Sequence, residues 1–170
     1  FAGGAGPVLL RIVTRDHHRA ADIMTPESIA RIRASFFEVS TEPRVLAGRF
    51  YEELFAAAPH LRHLFPADLT SLRGHFEAAL ALVIRNLEEL PVLEASLRDL
   101  GAHHVAWGAR PEDYRTVRES LVRAIKKSSA TWNDTIEQEW RQAITAIIVP
   151  MLEGAAVHTA MFAEEFNEER

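Results

Sequence analysis

A chain of 170 residues with 48% hydrophobic and 25% charged side chains is long enough for one well-cored domain and too short for two ordinary ones. The formal net charge of −5 and a pI near 5.9 argue against a nucleic-acid groove or an anionic membrane surface as partner, since both ask for dense Lys/Arg patches and only 123–127 approaches one. Cysteine is absent, which excludes disulfides, thiolate nucleophiles and cysteine metal sites together.

The apolar runs 78–84 and 143–151 fall short of the roughly 20 residues that span a bilayer, so a soluble, cytoplasmic protein is expected. Residues 1–23 open on Phe-Ala-Gly-Gly-Ala-Gly-Pro and read as a flexible N-terminal extension without the charged start and long apolar stretch of a signal peptide. The folded domain is expected over 24–170. Thr25 can cap a helix whose first turn takes Pro26, and this helix over 26–39 carries Ile29, Ile32, Phe36 and Val39 on its inner face. Pro43 opens a second helix, with Val45, Leu46, Phe50, Leu54 and Phe55, ending near Ala58 and Pro59; a helical turn over 60–65 follows, closed by Pro66. Helical periodicity resumes over 71–87, and Leu90-Pro91 is expected to break it. Further helices are predicted over 92–107, stopped by Gly108, over 111–127, and over 133–157, the last kinked at Pro150. No period-2 alternation or hairpin dipeptide interrupts this pattern, so the fold class is all-α.

One residue in this series asks for a partner. Leu93, Leu97, Leu100 and His104 stand at i, i+4, i+7 and i+11, within roughly 40° of one another on one helix face, whereas His103 points off that stripe. A buried imidazole left unpaired at either nitrogen costs on the order of 1–3 kcal/mol. A backbone carbonyl would satisfy it, and so would a metal.

The surrounding motifs carry a resemblance. Phe50-Tyr51-Glu52-Glu53-Leu54-Phe55, then residues 58–66, then Leu100-Gly101-Ala102-His103-His104-Val105 with Pro111-Glu112-Asp113-Tyr114, resemble the bacterial single-domain globins, a group related to the haem domains of flavohaemoglobins and to neuroglobin. The similarity spans roughly 25–156, and the order and spacing of the motifs carry it. It implies a globin fold, a helical sandwich around one haem b (iron protoporphyrin IX), with the haem between the helix over 71–87 and the helix over 92–107. His104 is then the proximal iron ligand. Leu100 lies on the proximal stripe, Phe65 matches the aromatic packed flat on the porphyrin, and Tyr51 matches a distal tyrosine whose hydroxyl donates to bound ligand. Without a cofactor, Phe65 is an ordinary core residue, and Tyr51 bonds a backbone carbonyl.

The distal helix departs from the family. Leu72, 32 residues before His104, occupies the position usually held by Gln or His, and Phe76 stands where Leu or Val is usual. His75 lies at the margin of the apolar stripe, about 60° from Leu72. Three roles are open to it: a solvated partner of a haem propionate, a second iron ligand, or a hydrogen-bond donor to bound ligand. An alternative alignment, counted forward from Phe65, makes His75 the conventional distal residue at the cost of a gap. On the proximal side Tyr114 matches a tyrosine that with a glutamate tunes the ligand imidazole. The glutamate position is Ala155 here, and Glu153, two residues earlier, is expected to point away.

Trp107 is expected to pack at its helix end near the haem edge. His60 and His63 have i, i+3 spacing but no evident acidic partner, so solvation is expected. No Gly-rich dinucleotide loop is present, and electrons would come from an external donor protein. The resemblance therefore implies reversible binding of dioxygen, nitric oxide or carbon monoxide, including nitric oxide dioxygenation with a separate reductase, by a monomer or weak homodimer. The alternatives are a bis-histidyl iron held by His104 and His75 for electron transfer or redox and gas sensing, and a haem-free fold kept for protein interaction.

Overall fold

The computed structural model describes residues 24–42 and 44–168, with side chains as far as residue 160; the extension expected over 1–23 lies outside them. Thr25 caps α1 (Pro26–Val39) as expected: its hydroxyl accepts from the Ser28 N–H at 3.2 Å, and the Ser28 hydroxyl donates to the Thr25 carbonyl at 3.0 Å. Ile29, Ile32 and Val39 are buried with Phe36 half-buried beside them.

Helix α2 (Val45–Ala57) follows Arg44, whose φ of 69° is left-handed, and has no side-chain cap of its own. The missing acceptor comes from the next helix, α3 (Thr70–Arg85): Glu77 accepts the N–H groups of Arg44 at 2.6 Å and Ala47 at 3.0 Å. A carboxylate at this end satisfies two free donors and lies favourably in the helix dipole. Between the two helices the chain makes a 3₁₀ turn, Pro59–Leu64, and Asp68 then accepts from the Thr70 N–H and hydroxyl at 2.9 and 2.6 Å.

The break after α3 differs from expectation. The helix ends at Arg85, a 3₁₀ turn covers Leu87–Glu89, and α4 (Leu90–Ala106) begins with Pro91 in its first turn. Proline has no N–H to lose there, since first-turn donors lack intrahelical acceptors, so Leu90-Pro91 starts a helix where a stop was expected. Gly108, at φ 98°, ends this segment. Helix α5 (Asp113–Ser128) is preceded by a turn in which Asp113 accepts the Arg110 N–H at 2.8 Å.

Helix α6 (Asp134–Glu168) runs 35 residues, past the expected end at 157 and through Pro150. Over Asp134–Ala160 it is long and apolar enough to cross a membrane by length and composition, where only short runs were expected. Its Trp140, Ala143, Ile144, Met151 and Ala155 are buried within the fold. Trp140 is fully enclosed, donates its indole N–H to Ser35 of α1 at 3.1 Å, and has the buried Glu139 beside it paired to Arg31.

No strand occurs among the described residues. α4 packs along α6, α2 along α5, and α1 bridges the two pairs, while α3 leans on α2 and α1. The consecutive helices α3 and α4 scarcely touch each other.

Candidate functional site

His104 stands at the third-last position of α4, half-buried, and its Nδ1 donates to the Leu100 carbonyl one turn earlier at 2.8 Å. A donating Nδ1 leaves Nε2 as the lone-pair nitrogen, the form a metal requires. Burial, the dominant influence, pushes its pKa below the usual histidine range. His103 makes the same bond to the Asp99 carbonyl, also at 2.8 Å, but is exposed, so the two adjacent imidazoles divide as the stripe predicted.

Two rings flank His104. Trp107 lies 5.2 Å away between centroids, at the helix end as expected, yet is 60% exposed. Tyr114 of α5 lies 6.4 Å away. Its hydroxyl is buried without a hydrogen-bond partner, and burial, with Asp113 next in weight, pushes its pKa up to about 12. An orphaned buried donor costs about 1–3 kcal/mol. Glu153 does not relieve it, because it accepts from Arg98 Nε at 3.0 Å, and Ala155 is buried at the position of the family's glutamate.

A second cluster comes from α2, α3 and the segment between them. Tyr51 is 4% exposed and sits among Phe50, Phe65, Phe55 and Phe76 at 5.0, 5.7, 5.9 and 6.0 Å. Burial pushes its pKa up to about 12 against a lowering by Arg73, so the phenol is a protonated donor at neutral pH. Phe65 also meets Phe55 edge-on at 5.2 Å. Phe76 stacks on Phe50 at 4.5 Å with planes 2° apart, which assigns its bulk to packing against α2. Leu72 is half-buried, and His75, one residue before Phe76, is exposed on α3 outside this aromatic cluster.

The arrangement fits a planar apolar cofactor. Phe65 after the 3₁₀ turn, Leu72 and Phe76 of α3, and Leu93 and Leu100 of α4 are only half-buried, and α3 and α4 scarcely meet. Full burial of one such side chain contributes about 1.5–3 kcal/mol, so an apolar group seated against them would gain by covering the surface they leave exposed. His104 of α4 brings an unengaged nitrogen to such a group and Tyr51 of α2 a hydroxyl. An open groove of 340 Å³ bounded by Arg31, Ala34, Ser35, Glu38, Thr131 and Ile136 shares no side chain with this region.

Two features escaped the sequence reading. His60 does have an acidic neighbour: its Nε2 lies 3.9 Å from Asp113, 53 residues away, a separation that defeats local spacing. Arg73 is the other, with its Nε buried and without a partner and its guanidinium 3.7 Å from where a Cβ on Gly48 would lie. Only the glycine three residues before Tyr51, leaving room for a long side chain from α3, hinted at it.

Known proteins resemble this chain in sequence and in fold. The globin family model matches residues 48–151. A flavohemoprotein of Rhizobium meliloti is 36% identical over 101 residues, covering 55% of this chain and 24% of that one, so the chain spans about a quarter of that relative's length. An anaerobic nitrite reductase of Gossypium hirsutum is 23% identical over 142 residues, 74% of this chain and 87% of that one. A bacterial globin structure from Campylobacter jejuni superposes with a TM-score of 0.63 at 21% identity, covering 82% of this chain and 99% of that one, a likeness of fold. With the family model covering most of the described helices and the fold agreeing, this chain belongs to the globin family, whose hallmark is haem binding.

Proposed function

We propose that this chain holds one haem b between α3 and α4, with His104 as proximal ligand through Nε2, and that it reversibly binds a small diatomic molecule beneath Tyr51. The observation that carries this reading is the commitment of His104 Nδ1 to the Leu100 carbonyl, which leaves Nε2 neutral, unengaged and set in an apolar stripe. Haem supplies an iron that exchanges electrons and accepts a small ligand on its free face. The chain's own residues then divide the work. Leu72, Phe76, Leu93 and Leu100 exclude water, Phe65 packs on the ring, Tyr51 donates a proton-bearing hydroxyl to the ligand, and Tyr114 stands beside the proximal imidazole.

Nitric oxide dioxygenation is part of the same reading, with electrons delivered by a separate protein, as is nitrite reduction, the activity in the name of the Gossypium hirsutum relative. The bis-histidyl alternative is less well supported, because His75 is exposed and requires a swing of its ring to reach iron. Exposure suits a propionate partner at the pocket mouth.

The test is haem retention. His104→Ala is expected to purify without stably bound haem, or with haem restored only by added imidazole, whereas His103→Ala keeps its Soret band. Equal retention in both variants would refute the proximal assignment.

A further inference from the structure

Arg73 is half-buried with its Nε enclosed, and the proposed reading gives it no role. Its position on α3 is fixed from both sides. Phe76, three residues on, stacks against Phe50, and Glu77, four residues on, caps α2, so this flank of α3 is pressed against α2. Gly48 leaves the space into which the guanidinium extends, with the Arg73 carbon and a terminal nitrogen each 3.7 Å from a Cβ built at Gly48. Gly48 and Tyr51 are i, i+3 on α2 and share a face.

The two neighbouring carboxylates, Asp68 and Glu77, accept hydrogen bonds from Thr70 and from the start of α2, and neither is hydrogen-bonded to Arg73. Asp68 Oδ1 receives both the N–H and the hydroxyl of Thr70, and these bonds, ahead of a weaker attraction by Arg73, hold its carboxyl below the usual range. Both oxygens of Glu77 are taken by the Arg44 and Ala47 amides. The Arg73 Nε–H is left buried without a partner, and Arg73 is the charged group that acts on the Tyr51 phenol. A guanidinium with an unmet donor beside a phenol donor is a recognition pair for a small oxyanion or pseudohalide.

We propose that Arg73 makes the ligand site beside Tyr51 selective for small inorganic monoanions, nitrite being the substrate class it fits, through the guanidinium held against Gly48. The proposal rests on the haem reading above. Leu72 removes the usual polar side chain from the distal wall, and Arg73, adjacent in sequence, supplies a charge in its place. A fixed positive group in a partly desolvated pocket favours an anion over an isosteric neutral ligand, by about ten-fold or more at the separations of neighbouring side chains.

The experiment is a set of equilibrium titrations of the haem-loaded protein. Azide and nitrite are added to the ferric form, with imidazole as the neutral ligand, and carbon monoxide is added to the ferrous form. Arg73→Leu is expected to weaken azide and nitrite about ten-fold or more while imidazole and carbon monoxide affinities stay within about two-fold, and Arg73→Lys to restore part of the loss. The C–O stretching band of the carbon monoxide complex should move to higher frequency in Arg73→Leu, because loss of a positive field reduces back-donation into the ligand. If Arg73→Leu does not retain haem, Arg73→Gln, which keeps the stem without the charge, carries the same comparison. Equal weakening of anionic and neutral ligands, or an unchanged ratio with an unshifted C–O band, would overturn the proposal and leave the haem reading intact. An unmutated protein with no Soret band after haem addition would overturn both.

Discussion

Gly101→Ala puts two physical effects of opposite sign in competition at the most extensive helix contact in the molecule. Gly101 lies within α4, where alanine gains about 1 kcal/mol of helix propensity over glycine. A Cβ there, however, would stand 1.9 Å from the Met151 carbonyl oxygen of α6 and 2.5 Å from its carbon. The relation is reciprocal, for a Cβ on Gly154 of α6 would stand 1.9 Å from the Arg98 carbonyl oxygen of α4. Ordinary contact begins near 3.4 Å, so the helices must separate by roughly 1.5 Å, and neither obstacle is a side chain able to turn aside. Overpacking that forces backbone shifts costs about 3 kcal/mol at the upper end of its usual range. After the propensity gain, about 2 kcal/mol of net destabilisation remains, a fall in Tm of about 4–8 °C for a chain of this size.

Thermal unfolding of the haem-free protein followed by circular dichroism measures this shift. Gly74→Ala in α3, where a Cβ meets nothing nearer than the Arg44 side chain at 3.8 Å, serves as the control and should be neutral or stabilising. The double variant Gly101→Ala with Gly154→Ala should cost less than the sum of the two single changes, because the first separation makes room for the second. A Gly101→Ala protein as stable as the Gly74→Ala control would show that α4 and α6 do not meet backbone to backbone. His104 lies three residues beyond Gly101, so the same displacement should also loosen the proximal ligand and weaken haem retention.

Tyr51→Phe removes the hydroxyl expected to hold the ligand and should speed dioxygen dissociation about ten-fold or more, as a lost hydrogen bond to a partly charged group is worth about 1.5–3 kcal/mol; stopped-flow release with an unchanged rate would transfer that role to Arg73 or to no residue. His75→Leu should leave the ferrous, ligand-free spectrum five-coordinate and high-spin, as in the parent, given the exposure of His75; a low-spin parent spectrum that becomes high-spin in the variant would restore the bis-histidyl reading. Burial lowers the His104 pKa in the folded chain, so the unfolded state binds its proton first as pH falls. This contribution to the stability of the haem-free protein is complete above the unperturbed value of about 6.5 and is lost as pH drops through the folded value, and urea titrations of the parent and His104→Leu should differ in pH slope in that acid window only.

Much of this globin is legible in one dimension because its cues are local. Thr25 caps α1 through its own neighbour Ser28, Gly108 ends the α4 segment with a φ of 98°, and the i, i+4, i+7, i+11 spacing separates the half-buried His104 from the exposed His103. A helix rotates about 100° per residue wherever it forms, so a face written in sequence remains a face in space. The relations that define the pocket depend instead on which helices meet. Glu77 caps a helix it does not belong to, Asp113 stands beside His60 from 53 residues away, and Gly101 and Gly154 admit each other's backbones. Arg73 shows the limit most directly: from its neighbours in the chain it is one more surface cation on a helix, and only the packing of α3 on α2 buries its Nε beside Tyr51. Side-chain period is a property of the backbone alone, whereas an unpaired donor is a property of everything packed around it, and only the tertiary structure decides that.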